Sequence, residues 1–426
     1  MVRSLAEWLS YQETLHPSSI DLGLERVRAV AERLALLPLT GKTAIVGGTN
    51  GKGSTATMLA ALASAHGMRV GLFTSPHLLR YQERVSVEGR EASEPELIAA
   101  FERIEAARGA QSLTFFEFNT LAALWIFRAR GVNCTVLEVG LGGRLDATNL
   151  VAADVAVLCS VGLDHRDWLG DTLESIGREK AGIFRRHQQV VLGSPALPAT
   201  VWATLRDLAC QIQIAEVDFQ WHIHADGRWN FNRRHALIDS PRSLDQLPAP
   251  GMTGLIQYRN AASAIAALGA LLGSAKVEAA AVGRALEGVQ LVGRHQFVGV
   301  DVQWVFDVAH NEPAAAVLAE ELRRRPVHGQ TIAVFGMLGD KDVAAVTACL
   351  GTLVDRWLVC TLTGPRALSG PELVQRMGAL EAPLEQCGAV GAAVARAASL
   401  AQSGDRILVC GSFHVVGPAL QARGLY

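Results

Sequence analysis

The sequence predicts an α/β fold built from two domains, and three observations support this prediction. Short apolar runs such as 135–139 and 155–161 lack polar alternation, which is typical of strands covered on both faces of a parallel sheet. A glycine-rich turn at 47–53 separates another apolar run from a segment with helical spacing. Alternation of strands and helices then restarts in the C-terminal third. We expect an N-terminal domain with a mostly parallel sheet and a smaller, Rossmann-like α/β domain.

Length and composition agree with this organisation. The 426 residues are too many for one core, and 50% hydrophobic with 19% charged residues is a globular composition. A linker-like stretch at 289–294 places the predicted boundary between domains 1–291 and 292–426. The C-terminal strands are expected at 304–307, 332–335, 357–360 and 407–410.

The N-terminal elements are predicted from apolar spacing and from breaker residues. Helices are expected at 5–15, 26–37, 56–65, 94–108, 119–130 and 260–272, and strands at 43–46, 68–73, 135–139 and 155–161. The segments 211–223 and 229–238 resemble the strands of a hairpin. The charged segment 177–183 is interpreted as a solvated helix turn.

The turn after the first strand has the residues of a nucleotide-binding loop, so the N-terminal domain is expected to be P-loop-containing. Glycines let backbone N–H groups face phosphates, and a lysine can bridge the outer phosphates. Two departures from the strict motif are Val46, where a glycine is usual, and Gly53, which separates Lys52 from the hydroxyl of Ser54. The alternative is an ordinary βα turn. The residues expected to contact ATP are Thr49, Asn50, Gly51, Lys52, Gly53 and Ser54.

Polar side chains follow three apolar strands of this domain. Ser75 follows one strand, Glu138 ends the next, and His165 lies just beyond the third. A carboxylate at the end of an apolar strand is costly unless it binds a cation or forms a pair. Oxygen ligands suit Mg²⁺, and one imidazole is tolerable. The three residues are the predicted metal ligands; the alternatives are that Ser75-Pro76 is only a turn and that His165 is a hydrogen-bonded loop histidine.

Charge and cysteine content exclude several classes of protein. The net charge of −2 argues against a broad nucleic-acid or anionic-membrane footprint. Seven cysteines without a CxxC pair indicate a reducing cytosol and no structural zinc. No secretory signal is visible at 1–10, and the alanine-rich run 261–272 is too short to span a bilayer. We therefore expect a cytoplasmic protein without a nucleic-acid or membrane partner.

The C-terminal strands also end in polar groups, at 307–311, 339–342 and 411–414. A phosphate loop, a metal-binding set and such a second domain fit a kinase, an ATP-dependent ligase or a nucleotide-controlled switch. These residues favour an enzyme, but they do not identify the substrate that would accept the transferred group.

Several motifs together resemble the folylpolyglutamate synthase family, within the Mur-ligase group of ATP-dependent amide ligases. The resemblance covers nearly the whole chain, and the long motif at 137–149 is highly specific. The motif at 20–26 further resembles the bacterial members with two activities, dihydrofolate synthase and folylpolyglutamate synthase. The motifs are those at 20–26, 48–54, 75–77, 137–149, 164–165, 178–182 and 307–311.

This resemblance implies a reaction. ATP would phosphorylate a carboxylate to an acyl phosphate, and the amino group of L-glutamate would displace the phosphate. The carboxylate would belong to 7,8-dihydropteroate in one activity and to the terminal glutamate of a reduced folate in the other. Mg²⁺ and Lys52 would neutralise the charge that develops between the anions.

The resemblance also implies residue roles. Ser75, Glu138 and His165 would be Mg²⁺ ligands, and Lys180 matches a lysine that is carbamylated in the family and supports a second metal. Lys52, Lys180 and His310 are the expected catalytic residues, with His310 near phosphate and glutamate. Further ATP contacts are expected at Asn260, Arg294 and Asp307. The expected pterin-side pocket comprises Ser19, Ile20, Asp21, Thr114, Phe115, Phe116, Glu117, Leu145, Asp146 and Ala147.

The chain departs from the family pattern in two places. Glu312 precedes Pro313, where the family has proline directly after the motif, and 257–259 lacks the usual proline before Asn260. Three rivals stay open: a monofunctional folylpolyglutamate synthase, a peptidoglycan Mur ligase and a nucleotide switch. The short segment before Gly48 argues against the Mur ligase, which has a nucleotide-sugar domain there. A monomer is expected from the family alone.

Overall fold

Residues 3–234, 243–364 and 366–426 are described by the structure, which is a computed structural model. The chain divides into two units. The first comprises Met1–Val161, Trp168–Pro250 and Tyr258–Val289, and the second comprises Gly162–Asp167, Gly251–Gln257 and Gln290–Tyr426.

Helices occur in both units. Within the described residues they are α1 (Leu5–Thr14), α2 (Glu25–Arg33), α3 (Lys52–Ala65), α4 (Glu94–Arg108), α5 (Phe115–Ala129), α6 (Arg166–Leu169), α7 (Leu173–Ala181), α8 (Ala199–Asp207), α9 (Ile256–Leu272), α10 (Ala279–Gly288), α11 (Glu312–Arg324), α12 (Val343–Leu350), α13 (Gly370–Arg376), α14 (Val390–Leu400) and α15 (Phe413–Ala422).

Strands form three sheets. Within the described residues they are β1 (Lys42–Gly47), β2 (Val70–Phe73), β3 (Val85–Val87), β4 (Arg90–Glu91), β5 (Cys134–Glu138), β6 (Val155–Leu158), β7 (Gln189–Leu192), β8 (Gln211–Ile214), β9 (Phe219–Ile223), β10 (Trp229–Arg233), β11 (Ser243–Leu247), β12 (Gln296–Val298), β13 (Gln303–Asp307), β14 (Thr331–Phe335), β15 (Arg356–Cys360), β16 (Leu384–Gly388) and β17 (Arg406–Cys410).

The large sheet of the first unit brings four strand ends together. Its order is β4-β3-β2-β5-β1-β6-β7-β8, and it is parallel except for the β2–β3 and β3–β4 pairs. β1 lies between β5 and β6, with Ile45 opposite Leu137 on one side and Ala156 on the other. The carboxyl ends of β2, β5, β1 and β6 are therefore neighbours, which is where α/β proteins bind ligands.

Packing on both faces of this sheet explains why the sequences of its central strands are continuously apolar. All residues of β5 and β6 are buried. One apolar cluster joins α1, α2, α4 and α5 around side chains such as Phe101 and Phe118. A second packs β6 and β7 against α7 and α8. Burial of each such aromatic or aliphatic side chain stabilises the fold by roughly 1.5–3 kcal/mol.

The second unit has its own mostly parallel sheet, in the order β12-β13-β17-β14-β15-β16. Only β12 runs antiparallel to its neighbour among the described strands of this sheet. Its core includes Phe335 and Trp357, whose rings meet edge to face at 5.2 Å. The α/β fold class predicted from the sequence is confirmed, with a large parallel-rich sheet followed by a smaller α/β sheet.

Several local predictions are wrong. The segment 211–223 is two strands, and β8 joins the large sheet beside β7, whereas β9 pairs antiparallel with β10 and confirms the hairpin for 219–233. The segment 177–183 is not solvated, because α7 buries Lys180 and Ala181. The helix expected at 26–37 ends at Arg33. Residues 235–238 of the second predicted hairpin strand lie outside the described residues.

Helix boundaries also differ near the predicted site. α9 begins at Ile256, so Asn260 lies inside the helix and does not open it. α5 begins at Phe115, four residues before its predicted start, because Thr114 caps it with a reciprocal bond to Glu117. Among the described residues, no helix has the length and apolar character needed to span a bilayer.

Candidate functional site

The loop between β1 and α3 has the geometry of a phosphate-binding turn. Gly51 precedes the helix with φ +88°, a left-handed conformation that glycine adopts without strain. Ser160, after β6, holds the loop by accepting the Thr49 N–H at its carbonyl (2.9 Å) and the Asn50 N–H at its hydroxyl (3.0 Å). Lys52 opens α3, and its Nζ donates to the Thr49 carbonyl at 3.1 Å. The loop is therefore fixed from the neighbouring strand.

Two predicted residues lie against this loop. Lys180 on α7 is 5% exposed, and its Nζ donates to the Gly48 carbonyl at 3.0 Å. A Cβ built on Gly51 would lie 2.9 Å from Oδ1 of Asn260 on α9, so that amide directly faces the loop. The structure thus brings both side chains to the loop, although each comes from a distant part of the sequence.

The Cys159 thiol lies under the loop. Its Cβ would be 3.5 Å from a Cβ placed on Gly51, and its Sγ lies 3.5 Å from the Thr55 hydroxyl. Burial raises the pKa of Cys159 to about 11, while Thr55 and Lys52 oppose that increase. The thiol is therefore protonated at neutral pH.

Ser75 and Glu138 come together at the ends of the adjacent strands β2 and β5. The Ser75 N–H donates to Oε2 of Glu138 at 2.9 Å, and Glu138 is only 4% exposed. A Cβ built on Gly53 would lie 3.5 Å from both oxygens of this carboxylate, which therefore faces the first turn of α3. A hydroxyl and a carboxylate beside a phosphate loop are the oxygen donors that Mg²⁺ prefers.

The third predicted metal ligand, His165, belongs to the second unit. Its backbone N–H donates to Asp164 Oδ1 at 2.8 Å, and its φ is +52°. Within the described residues, no three His, Cys, Asp or Glu side chains converge as a metal site. The set of Ser75, Glu138 and His165 stays a prediction.

The pterin-side residues form a network at the start of α5. Arg26 donates to Asp21 Oδ2 at 2.7 Å and reaches Oε1 of Glu117 at 3.2 Å. Glu117 in turn accepts the Thr114 N–H at 2.7 Å. One guanidinium therefore ties the loop before α2 to the first turn of α5. Ser19 is exposed, and Ile20 is partly buried in the same loop.

The other side of this region is formed by the turn after β5. Asp146 accepts hydrogen bonds from the Leu141 N–H at 2.9 Å and the Thr148 hydroxyl at 2.6 Å. Burial raises the pKa of Asp146, although these hydrogen bonds oppose the increase. Ala147 is buried and Leu145 is partly buried.

The Phe116 ring packs closely against Gly140, the glycine that follows β5. A Cβ on Gly140 would lie 2.6 Å from Cζ of Phe116, so any larger residue would displace the ring. Phe115 and Phe116 are both partly buried, and the Phe116 ring also lies 5.8 Å from that of Phe73. The two rings supply apolar surface beside the buried carboxylates.

In the second unit, the turn after β13 holds Asp307 and His310. Asp307 accepts the N–H groups of Ala309 and His295, both at 2.8 Å. Arg294 places its guanidinium carbon 4.8 Å from the ring centroid of Phe413. His310 lies 6.2 Å from the same ring. Arg294, Asp307 and His310 therefore share one end of this sheet.

Asp164 connects several groups of this unit. It contacts Lys341 Nζ at 2.6 Å, Asn311 Nδ2 at 2.8 Å and His310 Nε2 at 3.5 Å. Burial alone would raise the pKa of Asp164, but the bond from His310 and the charges of His165, Lys341 and His310 hold it well below its usual range. The carboxylate therefore stays ionised.

Sequence patterns did not identify three cations of these networks. Lys341 lies in the segment 339–342, for which the sequence predicts only a polar strand end. Arg26 lies in the motif at 20–26, and its charge could have suggested a partner for Asp21. Arg84 sits in a short strand region with no motif, and only its burial at 8% exposure draws notice.

Comparison with known proteins supports the family resemblance. The Mur ligase middle domain matches residues 46–194, and the Mur ligase glutamate ligase domain matches residues 293–413. The dihydrofolate synthase/folylpolyglutamate synthase of Escherichia coli is 43% identical over 98% of this chain and 95% of its own. That of Haemophilus influenzae is 40% identical over 97% and 96%.

The chain belongs to the dihydrofolate synthase/folylpolyglutamate synthase family. A solved Escherichia coli relative, in complex with DHPP and ADP, has a TM-score of 0.92 at 42% identity and covers 99% of this chain and 98% of its own. A bifunctional relative solved with Mn, AMPPNP and L-glutamate has a TM-score of 0.89 at 42% identity, with 99% and 98% covered.

Membership of the dihydrofolate synthase/folylpolyglutamate synthase family confirms the predicted class of enzyme. The chain is an ATP-dependent ligase of the Mur ligase group, and it carries a glutamate ligase domain. The two solved relatives bind nucleotides, and one of them also binds Mn and L-glutamate.

Proposed function

We propose that this chain joins L-glutamate to 7,8-dihydropteroate, forming dihydrofolate, and to the γ-carboxylate of reduced folates. The observation that carries the proposal is the buried Glu138 carboxylate, which faces the phosphate loop and is held by the Ser75 N–H at 2.9 Å. This arrangement fits transfer of a phosphoryl group to an anionic acceptor. Family membership supports the choice of pterin acceptors.

The proposed reaction has two steps. An oxygen of the acceptor carboxylate attacks the γ-phosphorus of ATP, ADP leaves, and an acyl phosphate forms. The amino group of glutamate then attacks the acyl carbon, loses a proton, and expels inorganic phosphate as the amide forms. Lys52 at the start of α3 stabilises the phosphates, with the backbone of 49–54 around them.

The proposed metal site uses Ser75, Glu138 and His165. A divalent ion bound there would offset the charge of the two anions that must approach each other. Ser75 and Glu138 supply oxygen donors at adjacent strand ends. The remaining ATP contacts are proposed at Asn260, Arg294 and Asp307, and His310 is proposed to lie near phosphate and glutamate.

We also propose that Lys180 is carbamylated and supports a second Mg²⁺. Its Nζ is buried next to the phosphate loop, 3.0 Å from the Gly48 carbonyl. Addition of CO₂ to the neutral amine would replace a cation with an anion at this place. We expect Lys180→Ala to lose turnover and to recover part of it when a short carboxylate such as formate is added. An active Lys180→Ala variant without formate would contradict this role.

The pterin-side pocket is proposed at Asp21, Thr114, Phe116, Glu117 and Asp146, with their chain neighbours. Asp21 and Glu117 are linked through Arg26, and Phe116 provides a ring face. The domains are proposed as 1–291 for ATP binding and 292–426 for glutamate. We propose that the enzyme acts in the cytoplasm as a monomer.

The deciding experiment measures ADP release with ATP and Mg²⁺, with and without L-glutamate. Parallel reactions contain 7,8-dihydropteroate or tetrahydrofolate. Glutamate-dependent release with both acceptors is expected. Release with tetrahydrofolate alone would indicate a monofunctional synthase. Release that ignores glutamate and both acceptors would favour a nucleotide switch.

The role of Lys52 is tested separately. Lys52→Ala should lower ATP affinity and turnover, because the loop loses its phosphate-bridging charge. The exposed Lys42, which pairs with Asp154 at 3.5 Å, provides a matched control as Lys42→Ala. Unchanged ATP affinity and turnover in Lys52→Ala would rule out the proposed contact.

A further inference from the structure

Arg84 is a buried arginine that has no acidic partner in the part of the chain that the structure describes. It is 8% exposed and immediately precedes β3. Its Nε donates to Nδ1 of His77 at 2.7 Å. Among the described residues, no carboxylate forms an ion pair with it, and neither of its Nη groups makes a hydrogen bond. Four N–H donors of a buried cation are thus available to a ligand.

Arg108, in the same unit, is a similarly buried arginine whose guanidinium nitrogens all make hydrogen bonds. Its side chain is 12% exposed, comparable with Arg84. Its Nε and Nη2 contact the Glu105 carboxylate at 2.7 and 2.6 Å, and Nη2 also contacts the Tyr11 hydroxyl. Its Nη1 donates to the carbonyls of Gly109 and Gln111, both at 3.1 Å. Arg84 has one such contact where Arg108 has five.

An unpaired guanidinium is costly to bury, because the ion loses its hydration. Burial lowers the pKa of Arg84, and Tyr81, Glu138 and Glu83 only partly offset this. Its guanidinium carbon lies 5.6 Å from the ring centroid of Phe115 and 5.9 Å from that of Tyr81. The rings shield the charge from water, but they provide no anion.

The position of Arg84 relates it to the proposed chemistry. Its carbonyl accepts the Thr74 N–H at 2.9 Å, next to Ser75. Phe115, one of the proposed pterin-side residues, lies against its guanidinium. The charge of Glu138 acts on it from the proposed metal site. Arg84 therefore lies between the region proposed for the acceptor ring and the region proposed for phosphoryl transfer.

We propose that Arg84 binds the carboxylate of the acceptor substrate through its two Nη groups. The planar fork of a guanidinium matches a carboxylate in a bidentate arrangement. The bond from Nε to His77 fixes the fork, since a guanidinium can only donate and His77 Nδ1 accepts. The acceptor carboxylate would supply the anion that Arg84 lacks among the described residues, and Arg84 would orient the carboxylate oxygen that attacks ATP. This inference rests on the proposed function.

The test compares an acceptor acid with its amide. Binding of 7,8-dihydropteroate and of the carboxamide made from it is measured in wild type, Arg84→Met and Arg84→Lys. Wild type is expected to prefer the acid. Arg84→Met should weaken acid binding about 10- to 100-fold, as expected for hydrogen bonds to a charged group, and leave amide binding nearly unchanged. Arg84→Lys keeps the positive charge but loses the planar fork, so its affinity for the acid should lie between those of wild type and Arg84→Met.

Arg108→Lys and Arg108→Met are the matched controls. They should lower thermal stability and leave the preference for acid over amide unchanged. ADP affinity is measured in every variant, because an intact phosphate loop reports a folded first unit. If Arg84→Met does not fold, the decision falls to Arg84→Lys.

Two results would overturn the inference. One is an unchanged preference for the acid in a folded Arg84 variant. The other is a loss of ADP or ATP affinity with acid binding retained, which would assign the anion to a nucleotide phosphate. Failure of the proposed function looks different, since wild type would then bind neither pterin and release no ADP in response to glutamate.

Discussion

Glu138 shows how a single residue can indicate chemistry. It ends a strand in which every residue is buried, and its carboxylate receives an N–H from Ser75 across the sheet. The neighbouring first turn of α3 offers glycine instead of a side chain, at Gly53. A buried acid with space on one side is well suited to hold a cation.

Glu138→Gln should lower turnover on the order of 100-fold or more, since the amide keeps its shape but loses the charge that attracts metal. Steady-state rates measured over a range of Mg²⁺ concentrations should show a higher requirement for Mg²⁺. Glu105→Gln is a control carboxylate, because Glu105 has its own ion-pair partner in Arg108. Wild-type Mg²⁺ dependence in Glu138→Gln would exclude a metal role.

Residue patterns could predict Ser75 and Glu138 but not Arg84. Serine and glutamate follow apolar strands that are easily recognised, and parallel neighbours share one edge. Arg84 instead precedes a three-residue strand, and its importance lies in having no acidic partner among the described residues. The lack of an acidic partner is a property of the folded arrangement, so no spacing in the sequence reveals it.

At the scale of elements, some polar strand tips serve the helices that follow them. Asp342 comes directly after Lys341, yet its Oδ1 accepts the Ala345 N–H at 3.0 Å and caps α12. Asn311 caps α11 in the same manner, with Pro313 in the first turn where a missing N–H costs nothing. The inserted Glu312 is therefore compatible with the helix start.

Asp342→Ala should lower the free energy of unfolding by about 1 kcal/mol, the usual effect of losing an N-cap. Chemical denaturation of the purified protein measures this change. Asp342→Ser should restore most of it, because a hydroxyl also caps a helix. The KM for glutamate should stay at its wild-type value. A rise in that KM at unchanged stability would assign Asp342 to the substrate.

Asp405 joins two strand connections of the second unit. Its carboxylate accepts the N–H groups of Gln330 and Gln402, both at 2.8 Å. Burial alone would raise the pKa of Asp405, but these bonds outweigh it and leave the pKa below its usual value. The ionised form is therefore favoured in the folded state.

This carboxylate should stabilise the protein above its unfolded pKa of about 4 and lose that contribution as the pH falls through the lower folded pKa. Asp405→Asn should thus be less stable than wild type at pH 7, with the difference shrinking in acid. Urea unfolding at several pH values measures it, with the exposed Asp301→Asn as control. If the stability difference between wild type and Asp405→Asn grew as the pH fell, the pKa of Asp405 would be raised in the folded state and not lowered.

Element predictions failed where neighbours in space decide the structure. β3 and β4 are too short for a periodic pattern, and they form because β2 offers an edge. β8 has partly polar residues and joins the large sheet through β7. The sequence of α7 contains several charged residues, yet Lys180 is held against the phosphate loop by its hydrogen bond to the Gly48 carbonyl.

At the scale of the whole molecule, the succession of apolar runs predicted both α/β sheets correctly. The order of the strands was not predicted. β5 lies between β2 and β1 in the first sheet, and β17 lies between β13 and β14 in the second. Local sequence does not state which strands become neighbours. The residues that meet at a sheet edge follow from that order, which explains why candidate ligands were predicted more readily than their contacts.

Nucleotide binding should be visible in the stability of the whole chain. A ligand at 100 times its Kd stabilises the folded state by about 2.7 kcal/mol. ADP with Mg²⁺ should therefore raise the Tm of wild type in a thermal shift experiment. Lys52→Ala should lose most of that increase, and Lys42→Ala should keep it. Equal increases in all three proteins would place the nucleotide away from the loop.

The thiol of Cys159 offers a chemical probe of the phosphate loop at a residue that the chain already carries. It is buried beneath Gly51, and burial raises its pKa to about 11. We expect an alkylating reagent to reach it when the loop moves away from it, so the rate of modification should report that local opening. A nucleotide bound at the loop should slow this modification, and mass spectrometry of the peptide that contains Cys159 would measure its rate with and without nucleotide.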